Sequence, residues 1–219
     1  MFVGHMAVAI AAKRLTRKTS LGWLIGAATA ADLLWPFLLL AGTERVRIEP
    51  GATAFTPLVF ESYPWSHSLI MLVLWGLLLG ALARWRGVDS RGMWIVAALV
   101  VSHWVLDVVT HAPDMPLWPG ASPKFGLGLW NSIPATLVIE GALWIACLTL
   151  FVRAFRPRNW VGALAFWSLV VISTVMWASG PWSTPPASVR ALGYFALLGW
   201  IIVPWAIWAD RGHVERHPG

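Results

Sequence analysis

Apolar residues fall into one short run and six longer ones, divided by polar, basic or Pro/Gly-rich segments. The first run, residues 1–12, would be about 18 Å long as a helix, too short for a hydrocarbon core of roughly 30 Å. It reads as a half-helix or an interfacial segment. The longer runs cover about 21–40, 64–82, 93–110, 133–152, 160–178 and 189–209, and each predicts a membrane-crossing helix. Thr19 or Ser20 is placed to cap the first long helix, and Asn131 or Ser132 the fourth, with Pro134 tolerated in its first turn. Ser66 looks like a cap for the second, and Pro36 predicts a kink in the first. The expected fold is therefore an all-α polytopic membrane protein with about six transmembrane helices plus an N-terminal half-helix. Residues 1–219 form a single integral-membrane domain.

Composition agrees. At 58% hydrophobic and 12% charged residues the chain is too apolar for a soluble domain, and many of its 17 Trp stand at run ends, as interfacial anchors do. The lone Cys147 excludes an intrachain disulfide and a thiolate metal cluster. The first apolar run precedes its basic cluster, unlike a signal peptide, so the N-terminus is expected to be retained. No repeat is evident. The net charge of +6 comes from short clusters between apolar runs, which points to topology rather than to a nucleic-acid partner. Twelve Lys and Arg fall on one side: 13, 14, 17, 18, 84, 86, 91, 153, 156, 158, 211 and 216. Four, at 45, 47, 124 and 190, fall on the other. Both termini are thus expected in the cytoplasm of a bacterial inner membrane.

Against this background the intramembrane polar residues stand out. His103, Asp107 and His111 recur at i, i+4 and i+8 and share one helix face. Asp32 sits mid-run in the first long helix, Glu140 lies in the fourth, and His67 opens the second. Counting outward from the turn at 13–20, His5 reaches a depth similar to that of Asp32. Plain readings exist: His5 as an interfacial residue, His67 as a solvated first-turn residue, His213 and His217 as solvated residues of a polar tail. Three unpaired carboxylates in the membrane would cost roughly 8–10 kcal/mol if insertion costs of about 2.5–3.5 each added. A divalent cation, with Zn²⁺ suited to mixed N/O ligands, would remove that cost. Asp107 could bridge two ions, whereas His103 and His111, about 12 Å apart along a helix axis, would not chelate one ion alone. Glu140 or Asp32 could serve as ligand or general base. The same groups could instead form the path of a permease or of a proton- or ion-coupled transporter, or a structural polar network. Residues 141–219 offer no acid or His inside a run and read as scaffold helices with a short cytoplasmic tail.

Gly4-His5, Asp32, Ser66-His67-Ser68 and His103-x3-Asp107-x3-His111 together resemble the YdjM-type bacterial inner-membrane proteins, which are taken to be metal-dependent hydrolases. The similarity covers roughly residues 1–140. The stretch Gly126-Leu127-Gly128-Leu129-Trp130-Asn131-Ser132, with Glu140 beyond it, also looks like a branch of that family. Ser66 stands where the usual form has Thr. The spacing is reminiscent of zinc-dependent phospholipase C and related nucleases. The resemblance implies His5, Asp32, His67, His103, Asp107 and His111 as ligands of one or two zinc-like ions, and a phosphoester or lipid-linked substrate at an outward-facing site.

Overall fold

The structure is a computed structural model that describes residues 1–216. Helix α1 (Val3–Ala12) is followed by a pair, α2 (Leu21–Ala28) and α3 (Ala30–Leu40). An antiparallel hairpin, β1 (Arg45–Ile48) with β2 (Leu58–Ser62), leads into a single turn, α4 (Pro64–His67), and then α5 (Leu69–Trp85). Helix α6 (Ser90–Thr110) packs back on α5. A small antiparallel pair, β3 (Met115–Pro116) with β4 (Lys124–Phe125), precedes α7 (Ile133–Ala154). The rest is β5 (Phe155–Pro157), α8 (Trp160–Ser179), α9 (Val189–Leu197), α10 (Ile202–Arg211) and β6 (His213–Glu215), with β6 antiparallel to β5.

The expected six spans reduce to four or five. Among the described residues, four stretches are long and apolar enough to cross a membrane: α6, α7, α8 with the turn after it, and α9–α10 taken together; the α2–α3 pair makes a fifth if counted as one span. The expected second span is the 17-residue α5, because residues 64–67 form a separate turn and Ser68 is extended. The α2–α3 pair is bent by 54°. The bend falls at Thr29, not at Pro36, which stays inside α3. Ser20 caps α2 by accepting from Trp23 N, and Ser132 caps α7 by accepting from Ala135 N, both as expected.

The short α1 is no interfacial segment. Val3, Ala7 and Ile10 are fully buried, and the helix packs against α7, α2 and α6. Its far end is tied down where Lys13 Nζ donates to Thr19 O (2.8 Å) and pairs with Asp210 of α10 (2.7 Å). Helices α5 and α6 meet across glycines: a Cβ at Gly76 would stand 2.8 Å from Ala97 O, and one at Gly80 2.9 Å from Met93 O. Small residues permit this close approach, which bundles in lipid rely on for packing. The C-terminal strand departs from expectation. His213 is partly buried in β6, donates to Ala209 O and packs on Phe151 and Phe166, while His217 lies outside the described residues.

Candidate metal centre

The six predicted ligands come together around Asp107. Helix α6 presents His103 and Asp107 one turn apart, and His103 Nε2 lies 3.0 Å from Asp107 Oδ2. The helix ends at Thr110, so His111 is not the third member of a helical row. Its backbone is extended, which carries the ring back until Nε2 is 3.9 Å from the same Oδ2. The expected 12 Å separation of the two imidazoles therefore does not occur. From the turn α4, His67 Nε2 reaches within 4.0 Å of Asp107 Oδ2. From α1, His5 Nε2 lies 3.0 Å from the other oxygen, Oδ1, and its ring stacks on His103 at 3.7 Å. Asp32 Oδ1 lies 3.6 Å from His67 Nε2 and 3.8 Å from His103 Nε2. Asp32 is the open member, its side chain 47% exposed, while the other five are buried.

What aims these rings is a set of partners outside the cluster. His103 Nδ1 donates to Ala28 O at 2.8 Å, a carbonyl next to the break between α2 and α3. Ser66 Oγ has one proton, and the carboxylate of Glu44 takes it at 2.6 Å; His67 Nδ1, 2.6 Å from Ser66 Oγ, is therefore the donor in that contact. Glu44 is buried and also accepts from Trp65 N and Ser66 N (2.8 and 2.9 Å). His111 Nδ1 donates to Asp114 Oδ1 at 3.0 Å, and Tyr63 Oη donates to the same oxygen at 2.5 Å. Burial and the neighbouring Asp114 carboxylate push the Tyr63 phenol well above its ordinary pKa, so it stays a donor. In each of the three rings Nδ1 carries a proton, and Nε2 is the atom that faces Asp107.

This tautomer is the one a metal-ligating imidazole needs, and an outer acceptor on the second nitrogen is the usual way it is fixed. Two sets have ligand atoms mutually within 4.8 Å: His5, His103 and Asp107, and Asp32, His67 and His103. His103 Nε2 and His5 Nδ1 are buried without a hydrogen-bond partner. An unsatisfied buried group of this kind costs roughly 1–3 kcal/mol, and a cation near His103 Nε2 would remove that penalty there. The donor set of imidazole nitrogens and carboxylate oxygens fits a divalent ion such as Zn²⁺. The α-amino group of Met1 contacts Asp107 Oδ1 and Thr110 Oγ1, so in this structure Asp107 has a positive partner in place.

Glu140 is placed differently. Its carboxylate lies under the first turn of α1, where Oε1 accepts from Phe2 N (2.6 Å) and Gly4 N (2.9 Å) and Oε2 accepts from Trp177 Nε1 (3.0 Å). It belongs to neither ligand set, and its oxygens are committed to holding α1, and with it His5, in place. Sequence reasoning overlooked Glu44, Asp114, Tyr63 and the Ala28 carbonyl, and took Ser66 for a helix cap. The tetrapeptide His111-x-x-Asp114 carried a usable local signal. Nothing local separated Glu44 from the exposed Glu49 and Glu61 in the same stretch.

No curated protein and no solved structure matches the chain. A protein-family model does, over residues 1–181, a stretch that holds every member of the cluster and every group that aims it. With apolar helices long enough to cross a bilayer several times, the protein is a multi-pass inner-membrane protein. The chain belongs to the family described as YdjM inner membrane protein.

Proposed function

We propose that the cluster holds one or two divalent metal ions, Zn²⁺ fitting best, and that the protein is a metal-dependent hydrolase of a phosphoester or other lipid-linked substrate. One observation carries this reading. Three imidazoles from α4, α6 and the residue after α6 turn their Nε2 atoms toward one carboxylate, each with its Nδ1 held from behind. His5, His67, His103, His111, Asp32 and Asp107 would be the ligands. Asp107 is the natural bridge, since Oδ1 faces His5 and Oδ2 faces the other three rings. A bound divalent ion supplies Lewis acidity and brings the pKa of water it holds toward about 7. Asp32, exposed at the mouth of the group, is the residue placed to take a proton from an attacking water or to meet the substrate. A proton-conducting path would string such groups along the depth of the bundle. Here they gather at one level, which favours a metal over transport.

The positive-inside rule sets the direction. The clusters that hold twelve of the sixteen Lys and Arg lie at the end of the bundle where α6 begins, and the ligands lie at the end where it stops. The basic loops and the C-terminal strand are then cytoplasmic and the site opens on the opposite face; Met1, seated against Asp107 and Thr110, lies at the site's end, so the expectation of a cytoplasmic N-terminus does not hold. The test is elemental analysis of the purified protein after zinc loading, wild type against Asp107→Asn, together with release of phosphate or headgroup from phospholipid substrates. One to two metal ions per chain, lost in the variant along with hydrolysis, is the expected result. A wild-type protein that binds no metal, and moves solute with a pH-dependent rate instead, overturns the reading.

A further inference from the structure

Away from the ligand cluster the bundle carries two cavities whose linings come within two residues of each other near the end where α6 begins. One is an apolar groove of about 660 Å³, whose walls include Trp23, Gly26, Leu33, Leu82, Val203 and Ile207. The other, of about 460 Å³, is lined by Arg14, Arg17, Lys18 and Arg91, with Asp89 as its acidic member. Their linings follow one another closely along the chain. Ser20 lines the groove two residues after Lys18. Leu82 lines it one turn before α5 ends, and the following turn delivers Asp89 and Arg91.

We propose that these two cavities form one binding site for an anionic phospholipid, the phosphate in the cationic pocket and the acyl chains along the groove. The charge balance favours an anion. Asp89 is already engaged in capping α6 through Gly92 N (2.7 Å), and Arg17 pairs with Glu215 (2.7 Å). Arg14, Lys18 and Arg91 are exposed and enter no ion pair among the described residues. The 21-residue α6 also begins there, and the positive end of its dipole adds to the field. Basic pockets between membrane helices on the cytoplasmic side suit phospholipid headgroups, and the orientation above puts this pocket on that side. The groove selects a lipid over free phosphate, because it offers a phosphate ion nothing and an acyl chain a complete apolar wall. On α3 the groove-lining residues Ala30, Leu33, Leu34 and Phe37 occupy the face opposite Asp32, so this site is separate from the metal centre.

The experiment is native mass spectrometry of the delipidated full chain, titrated with phosphatidylglycerol, phosphatidylcholine and glycerol 1-phosphate. The wild type is expected to prefer phosphatidylglycerol over both others. Arg14→Gln with Arg91→Gln replaces exposed residues and should weaken phosphatidylglycerol roughly 30-fold, the equivalent of about 1 kcal/mol per cation removed. Gly26→Leu gives a second, independent reading. A Cβ there meets Val203 methyls at 3.5 and 3.9 Å, an ordinary contact, and the rest of the leucine fills the groove. It should displace phosphatidylglycerol while leaving zinc content unchanged. Equal binding of phosphatidylglycerol and phosphatidylcholine overturns the proposal. So does glycerol 1-phosphate binding as tightly as the lipid with no effect of Gly26→Leu, which would mean an anion site without a chain site. Metal content is read separately in every sample, so failure here and failure of the metal assignment are distinguishable.

Discussion

Replacing Glu44 by Gln changes a single atom of a buried carboxylate and should disable a histidine it never touches. In the wild type, one oxygen accepts from Trp65 N and Ser66 N, and the other takes the Ser66 hydroxyl proton. Glutamine can keep the first oxygen and its two backbone partners. Its amide nitrogen, standing where the second oxygen stood, can only donate. Ser66 Oγ must then accept from Gln and give its own proton to His67 Nδ1. The imidazole proton is forced onto Nε2, the atom 3.6 Å from Asp32 and 4.0 Å from Asp107. The fold loses one charge-assisted hydrogen bond in exchange for a neutral one, about 1–2 kcal/mol. Metal affinity should fall about 10- to 100-fold, the usual effect of removing a group that orients a ligand. Competition against a chelator of known affinity measures the second effect, and thermal unfolding in detergent the first. Glu44→Ala is the contrasting variant: it strands the buried Ser66 N–H and the partly buried Trp65 N–H and should cost about 2–4 kcal/mol, so loss of metal there would say little about tautomers. Wild-type zinc affinity in a folded Glu44→Gln protein refutes the reasoning, because Glu44 would then not set the His67 proton.

Glu140→Gln should lower stability by about 1–3 kcal/mol and lower metal retention, because a carboxylate that anchors α1 through Phe2 N, Gly4 N and the Trp177 indole cannot be matched by an amide; a general base would instead lose turnover with metal content intact, which is the outcome to look for against it. Asp114→Asn should weaken metal binding about 10-fold or more with little change in melting temperature, since both His111 Nδ1 and the Tyr63 phenol give up a charged acceptor; unchanged affinity would show that His111 does not ligate. Burial keeps the His213 imidazole neutral by lowering its pKa from 6.5, so below about pH 6.5 the unfolded chain takes up a proton that the folded one resists, and stability drops as pH falls. Melting curves of wild type and His213→Gln between pH 8 and 5 should therefore converge toward acid, and parallel curves would count against the buried, neutral ring.

The parts of this arrangement that could be read from the chain are those that repeat at short range. His103 and Asp107 are a helical step apart, and α6 delivers both to one face, as their spacing requires. Ser20 and Ser132 cap the helices they precede. Where the reading failed, a tertiary contact outweighed a local pattern. The His111 backbone leaves the helix one residue too early for the i+8 position, and Gly126, where a Cβ would stand 1.9 Å from Ala112 O, lets the following loop close over that exit. The span at 64–82 is divided because Tyr63 to Ser68 is bent around the Glu44 carboxylate, a contact 22 residues away that no periodicity records. The bend at Thr29 is equally silent in sequence, although Pro36 drew attention to the wrong turn of the same pair. Helix α8, expected to be bare scaffold, reaches the α1 anchor through Trp177.

The seam between α5 and α6 bears on the chemistry from a distance. Gly76 and Gly80 press on the backbone of Ala97 and Met93, while His67 precedes one of these helices and His103 and Asp107 ride on the other. Two missing methyl groups thus set the gauge between one ligand and its partners without touching any of them. A chain that regained those methyls could keep every donor atom and still present them at a spacing no ion would accept.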